Sequence, residues 1–160
     1  MNKIIVIFIT FLGGFFTSNL VFAQQTRSFC NFNETYFATP DLKKNDLMHN
    51  TIPHTKTYAF DISKTKNGKK IGSIVVRRTD LEKSDALELF EQSGSIFLPK
   101  GTIIAFGIVD TDGASKDAKF ERAIIGGTGI YSGITGSFFT EHIGDSNTYK
   151  LTFIAVIPCK

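Results

Sequence analysis

The chain has no tryptophan and, across 160 residues, only two cysteines, two methionines, three histidines and four prolines. An immunoglobulin-like sandwich is built around a buried Trp packed on two internal, disulfide-bonded cysteines, and neither feature is present. His49, His54 and His142 have no ligand spacing to either cysteine, so no metal is expected. Charge of one sign is lacking too. Lys and Arg number 18 against 15 Asp and Glu, a net charge of +3 spread in mixed order, which excludes an electrostatic nucleic-acid binder. After residue 23 no apolar run is long enough to cross a bilayer, and no stretch of useful length keeps a helical period.

The one long apolar run stands at the start. Lys3 precedes an almost wholly apolar segment from Ile4 to Phe16, and Val21-Phe22-Ala23 ends it with residues suited to cleavage before Gln24. The run is short for a membrane span and is weakened by Gly13, Gly14 and Asn19, so residues 1–23 read as a signal peptide and the protein as secreted or periplasmic. Its removal takes only one charge, Lys3, and lowers the net charge to +2, leaving a chain of one-domain length. Export favours a disulfide between Cys30 and Cys159. Residues 24–53 are polar, with only Phe29, Phe32, Tyr36 and Phe37 to bury, and read as a partly ordered arm before a domain over 54–160. Asn33-Glu34-Thr35 matches a glycosylation acceptor, a string short enough to arise by chance.

From Thr55 onward the apolar pattern has period two. Thr55 to Ile62 and Ile71 to Thr79 flank an Asn67-Gly68 turn, with Tyr58, Phe60 and Ile62 on one face. Lys64, Lys66, Lys69 and Lys70 around that turn read as a solvated loop. Asp80 to Asp85 lacks an apolar stripe and reads as loop. Ala86 to Leu98 and Thr102 to Asp110 flank Pro99-Lys100-Gly101, with Phe90, Ile96 and Leu98 on one face and Leu87, Leu89 and Phe97 on the other. Asp110-Thr111-Asp112-Gly113 resembles the start of a calcium loop, but Lys116 and Lys119 stand nearby and the string reads as a turn. Asp117 to Gly126, Ile134 to His142 and Thr148 to Ile157 complete seven strands, the last two joined by Gly144-Asp145-Ser146-Asn147. The class is all-β, which leaves a sandwich or a barrel.

Glycine is concentrated where the chain must turn. Gly126, Gly127, Gly129, Gly133 and Gly136 fall within eleven positions, where backbone with φ > 0 or in close approach to a neighbour is required. A dinucleotide fingerprint needs its third glycine where Ser132 stands and a helix afterwards. Ser132 is also one place too late for a nucleophile elbow, so no cofactor is expected and no hydrolase triad can be assembled.

The string from Ile124 to Gly136 resembles the glycine motif of the allene oxide cyclase and dirigent protein superfamily, in its bacterial, secreted branch. The likeness extends from Leu87 to Val156 and includes the Leu98-Pro99-Lys100-Gly101-Thr102 hairpin. It implies a closed antiparallel eight-stranded barrel with a small apolar cavity, commonly assembled as a homotrimer. An eighth strand within Ser28 to Ala38 would make the number even. In an even up-and-down barrel the first and last strands are antiparallel neighbours, which brings Cys30 and Cys159 to one rim. The plant dirigent pattern places an arginine after the glycine of the preceding strand, whereas here Ile108 follows Gly107, so the likeness to radical-coupling proteins stops there. The cyclases of the superfamily are thought to work chiefly by folding a reactive epoxide in an apolar cavity.

Several strands carry one charge on an apolar face. Arg122 lies between Phe120 and Ile124, Glu91 follows Leu87 and Leu89, and Arg78 follows Ile74 and Val76. Such a charge is a core ion pair, an interface residue or a cavity group facing a ligand. Glu91 and Arg122 are the candidate catalytic pair, because an acid and a guanidinium at low dielectric can stabilise charge on an oxygen during ring closure. Asp61, Arg78 and Tyr149 are the candidate ligand-binding residues. Two functions follow as expectations. One is a cyclase or isomerase acting on a small apolar molecule in the lumen; the other is a non-catalytic secreted barrel that binds an apolar ligand or a protein partner.

Overall fold

A computed structural model describes residues 28–47, 54–83, 88–110, 119–144 and 147–159. The segment read as a signal peptide, the turn expected at Thr111-Asp112-Gly113, the first residues of two expected strands at 86–87 and 117–118, and Asp145-Ser146 lie outside them. The described chain is a closed antiparallel barrel, β1(Phe29–Pro40), β2(Thr55–Ser63), β3(Lys70–Lys83), β4(Glu88–Leu98), β5(Gly101–Asp110), β6(Lys119–Gly127), β7(Thr135–His142) and β8(Tyr149–Pro158). Each strand pairs with its neighbour in sequence, and β1 closes the ring on β8.

Two segments differ from the sequence reading. The eighth strand expected within Ser28 to Ala38 is β1, so the barrel takes in part of the segment read as an arm and begins at Phe29. β1 pairs with β8 from Phe29↔Pro158 to Ala38↔Tyr149, and inward Phe32, Tyr36 and Ala38 suffice to seat it because the long ladder satisfies its backbone. A six-residue helix, α1(Leu42–Leu47), follows it, where Asp41 Oδ1 accepts the Lys44 N–H at 3.2 Å. Asp80 to Lys83, read as loop, extends β3 and pairs with β4 across an irregularity between Asp80 and Glu82. Its side chains gave no apolar alternation, yet its backbone still had β4 to bond.

The connections β2–β3, β4–β5 and β6–β7 gather at one rim, where the core is solid. Ile62, Ile96, Ile103, Phe138, Leu151 and Phe153 are fully buried. Phe32 meets Tyr131 and Phe153 edge-on at centroid distances of 5.5 and 5.9 Å, and Tyr36 meets Phe153 at 5.7 Å, so aromatic rings fill this end. Tyr131 is carried by a short 3-10 turn, Gly129–Tyr131, that folds over the rim. Ile130 N–H donates to the Lys100 carbonyl at 3.1 Å and Thr128 N–H to the Thr102 carbonyl at 2.8 Å. Gly129 has φ +63°, the left-handed conformation expected of the motif. Gly127 is needed for a different reason: a Cβ there would lie 2.7 Å from the carbonyl oxygens of Thr102 and Tyr131. At the same rim Cys30 and Cys159 form a disulfide with Cα atoms 5.3 Å apart.

Candidate ligand site in the barrel lumen

Towards the opposite rim the inward side chains stop filling the barrel. A cavity of about 360 Å³ opens there, lined by residues of seven strands. Tyr58, Phe60, Val76, Phe90, Phe120 and Phe138 supply most of its apolar wall, and Gly94 leaves room on β4. A concave, mainly apolar space of this size with a few converging polar groups is what a small-molecule site requires.

The polar groups converge on Arg122. Its position on β6 alternates in phase with buried Ile124, so its side chain enters the lumen and is only 6% exposed. One terminal nitrogen donates to Thr140 Oγ1 on β7 at 2.6 Å, and the other donates to Gln92 Oε1 on β4. To reach β4 the chain must pass over β5, and Gly107 permits this, since a Cβ there would stand 3.1 Å from Arg122 Cγ and 3.3 Å from its Cα. Both partners are neutral, and no salt bridge to Arg122 forms among the described residues. Burial therefore acts unopposed on the charged form and pulls its pKa down to about 10.

That shift has a consequence for stability. The fall to about 10 corresponds to a penalty on the order of 3 kcal/mol on the buried cation. Arg122→Met is expected to melt higher than wild type, by about 1–3 kcal/mol once the lost bonds to Gln92 and Thr140 are included. The sign with pH follows from the depressed folded-state value. The penalty applies in full below pH 10 and relaxes above it, where the unfolded chain still holds a proton that the folded one has released. The difference between variant and wild type should thus be largest near neutrality and shrink above pH 10, as chemical denaturation at several pH values would show.

Arg78 and Tyr149 also line the cavity. Arg78 Nε donates to Asp80 Oδ1 at 2.6 Å, and its guanidinium lies 3.8 Å from the centre of the Phe90 ring. Tyr149 stands edge-on to Phe60 at 5.6 Å and to His142 at 5.2 Å. The other two sequence candidates face away. Glu91 alternates with inward Phe90 and Gln92 and pairs across the ladder with Ile108, whose side chain is 60% exposed, so it does not meet Arg122. Asp61 lies on the opposite face of β2 from Phe60 and Ile62 and bonds Lys70 at 2.5 Å. Gln92 and Thr140, which hold the guanidinium, were missed. The signal was available for both: Gln92 shares the face of Phe90 and Ile96, and Thr140 shares that of Phe138.

No protein-family model matches the sequence, and no curated protein matches it. Solved structures do match in fold. A pyocyanin demethylase is similar over 75% of this chain and 98% of its own, with a TM-score of 0.57 and 20% identity. An exo-specific intermolecular Diels-Alderase is similar over 81% of this chain and 98% of its own, with a TM-score of 0.60 and 14% identity. A pterocarpan synthase dirigent protein is similar over 84% and 87%, with a TM-score of 0.54 and 15% identity. The chain thus has the allene oxide cyclase-like barrel fold that these proteins share, and at such identities the likeness is one of fold.

Proposed function

We propose that this barrel holds a small, largely apolar, unsaturated molecule in a folded conformation and steers its cyclisation or isomerisation. The observation that carries this reading is an apolar cavity of about 360 Å³ whose deepest-buried charge, Arg122, has only neutral partners. Aromatic walls restrict the conformations of a flexible substrate, which lowers the entropic part of a ring-closing barrier. The guanidinium, kept in one orientation by Gln92 and Thr140, stabilises negative charge that develops on a substrate oxygen, and at low dielectric this costs no reorganisation during the reaction. Arg78 and Tyr149 contact the molecule nearer the mouth. Glu91 has no part in this chemistry. The Diels-Alderase and dirigent barrels of the same fold support a cyclisation-type role.

Isomerisation and intramolecular cyclisation leave mass unchanged, and this gives the test. An organic extract of the source organism incubated with the protein should show a compound converted to another of equal mass and different retention. Val76→Phe, which fills the lumen, should abolish the conversion. Conversion that persists in Val76→Phe would place the chemistry elsewhere. Binding without turnover is the second reading, favoured because no carboxylate or histidine lines the cavity among the described residues to move a proton. Binding lost in Val76→Phe with no conversion in wild type would select it.

Two further parts of the reading concern the protein's setting. Export is supported by the signal-like start and by the disulfide, which persists in oxidising compartments. Assembly as a homotrimer is supported by the outer face of β5 and its neighbours, where Phe97, Ile104, Phe106, Ile108 and Ile125 are exposed together. Light scattering of the purified protein would measure it.

A further inference from the structure

We infer that the molecule taken by the lumen is an organic monoanion, an apolar body bearing one acidic oxygen group that docks on Arg122. The inference rests on the lumen being the ligand site and adds the charge of the ligand. Among the described residues two arginines line the lumen, and they are not equivalent. Arg78 is offset by Asp80 on its own strand, at 2.6 Å. Arg122 is more deeply buried, and its two bonds to protein go to a hydroxyl and an amide oxygen. A guanidinium has five N–H donors, so three remain without an acceptor among the described residues. A buried cation is costly unless an anion or a full set of acceptors meets it, and this one has neither among the described residues.

The surroundings limit what can complete the set. Gln92 and Thr140 fix the guanidinium plane from β4 and β7, which suits the paired oxygens of a carboxylate or sulfonate better than a point charge. Phe90, Phe120, Phe138 and Tyr58 bound the remaining space, so the rest of the ligand must be apolar. A dianion would leave one charge against aromatic walls with only the already paired Arg78 near it. A neutral body of the same shape would gain the walls and forgo the guanidinium.

Two dyes with one aromatic framework separate these cases: 8-anilinonaphthalene-1-sulfonate carries an anion, and N-phenyl-1-naphthylamine carries none. Fluorescence titration of the full exported chain should show the sulfonate binding about tenfold or more tighter than the neutral dye, as expected for a charge-assisted contact. In Arg122→Met the sulfonate should weaken by about tenfold or more while the neutral dye stays within about threefold. Val76→Phe should weaken both, which locates the binding in the lumen and sets aside dye on the exposed outer face. Equal affinity of the two dyes for wild type, or a preference that survives in Arg122→Met, overturns the inference and leaves the lumen reading intact. Failure of both dyes to bind, or binding indifferent to Val76→Phe, overturns the lumen reading itself.

Discussion

Gly129→Val is expected to leave no stable barrel. Gly129 sits at φ +63°, a conformation that costs an L-residue about 1–2 kcal/mol and a β-branched one more. The steric term is larger. A Cβ there would lie 2.1 Å from the Lys100 carbonyl oxygen and 3.1 Å from Gly101 Cα, and these are backbone atoms that cannot swing aside as a side-chain end would. Relief requires the 3-10 turn to lift off the β4–β5 connection, breaking the Ile130 to Lys100 bond and unseating Tyr131 from the aromatic plug. Together these losses rival the whole stability of a typical domain, about 5–15 kcal/mol. Soluble yield and a thermal melt by circular dichroism would report it. A Gly129→Val protein that melts like wild type and has lost only ligand binding would show that the motif serves the ligand and not the fold.

Removing the disulfide should cost nearly as much without destroying the architecture. Cys30 and Cys159 are 129 residues apart, and a loop of that length gives about 5 kcal/mol in the chain-entropy account. The double variant Cys30→Ser, Cys159→Ser should therefore melt well below wild type. It should still fold, because β1 remains bonded to β8 along its length and Cys159 N–H still reaches the Ser28 carbonyl at 2.8 Å. Reduction of the wild-type protein should reproduce the lowered melting point. An unchanged melt, or free thiols on both residues in exported protein, would contradict the assignment.

The strands were legible wherever one face was apolar and the other was not. β2 announced its inward face through Tyr58, Phe60 and Ile62, and the turn glycines announced the hairpins. β1 was expected within Ser28 to Ala38 from the even strand count and not from its own pattern, because a strand held on both sides needs few apolar residues; Asp80 to Lys83 was hidden because its partner strand, not its side chains, makes it a strand. The site was harder to read for a specific reason. β5 is apolar on both faces, with Ile103, Ala105 and Val109 buried and Ile104, Phe106 and Ile108 exposed. Alternation then states that two faces exist without stating which is the lumen. Glu91 was favoured because it followed two leucines, and Leu89, the one among the described residues, shares the outward face with it. The bond from Arg122 to Gln92 joins residues 30 apart across an intervening strand and depends on a glycine between them, a relation that only the register reveals.

The claim on which the rest depends is that the lumen beside Arg122 is occupied by a small molecule. Native mass spectrometry of wild type and Val76→Phe, each purified from the protein's own source, tests it most directly. The expected result is one small molecule per chain on wild type, released on denaturation, and none on Val76→Phe. The same adducts on both proteins, or none on either, would contradict the account.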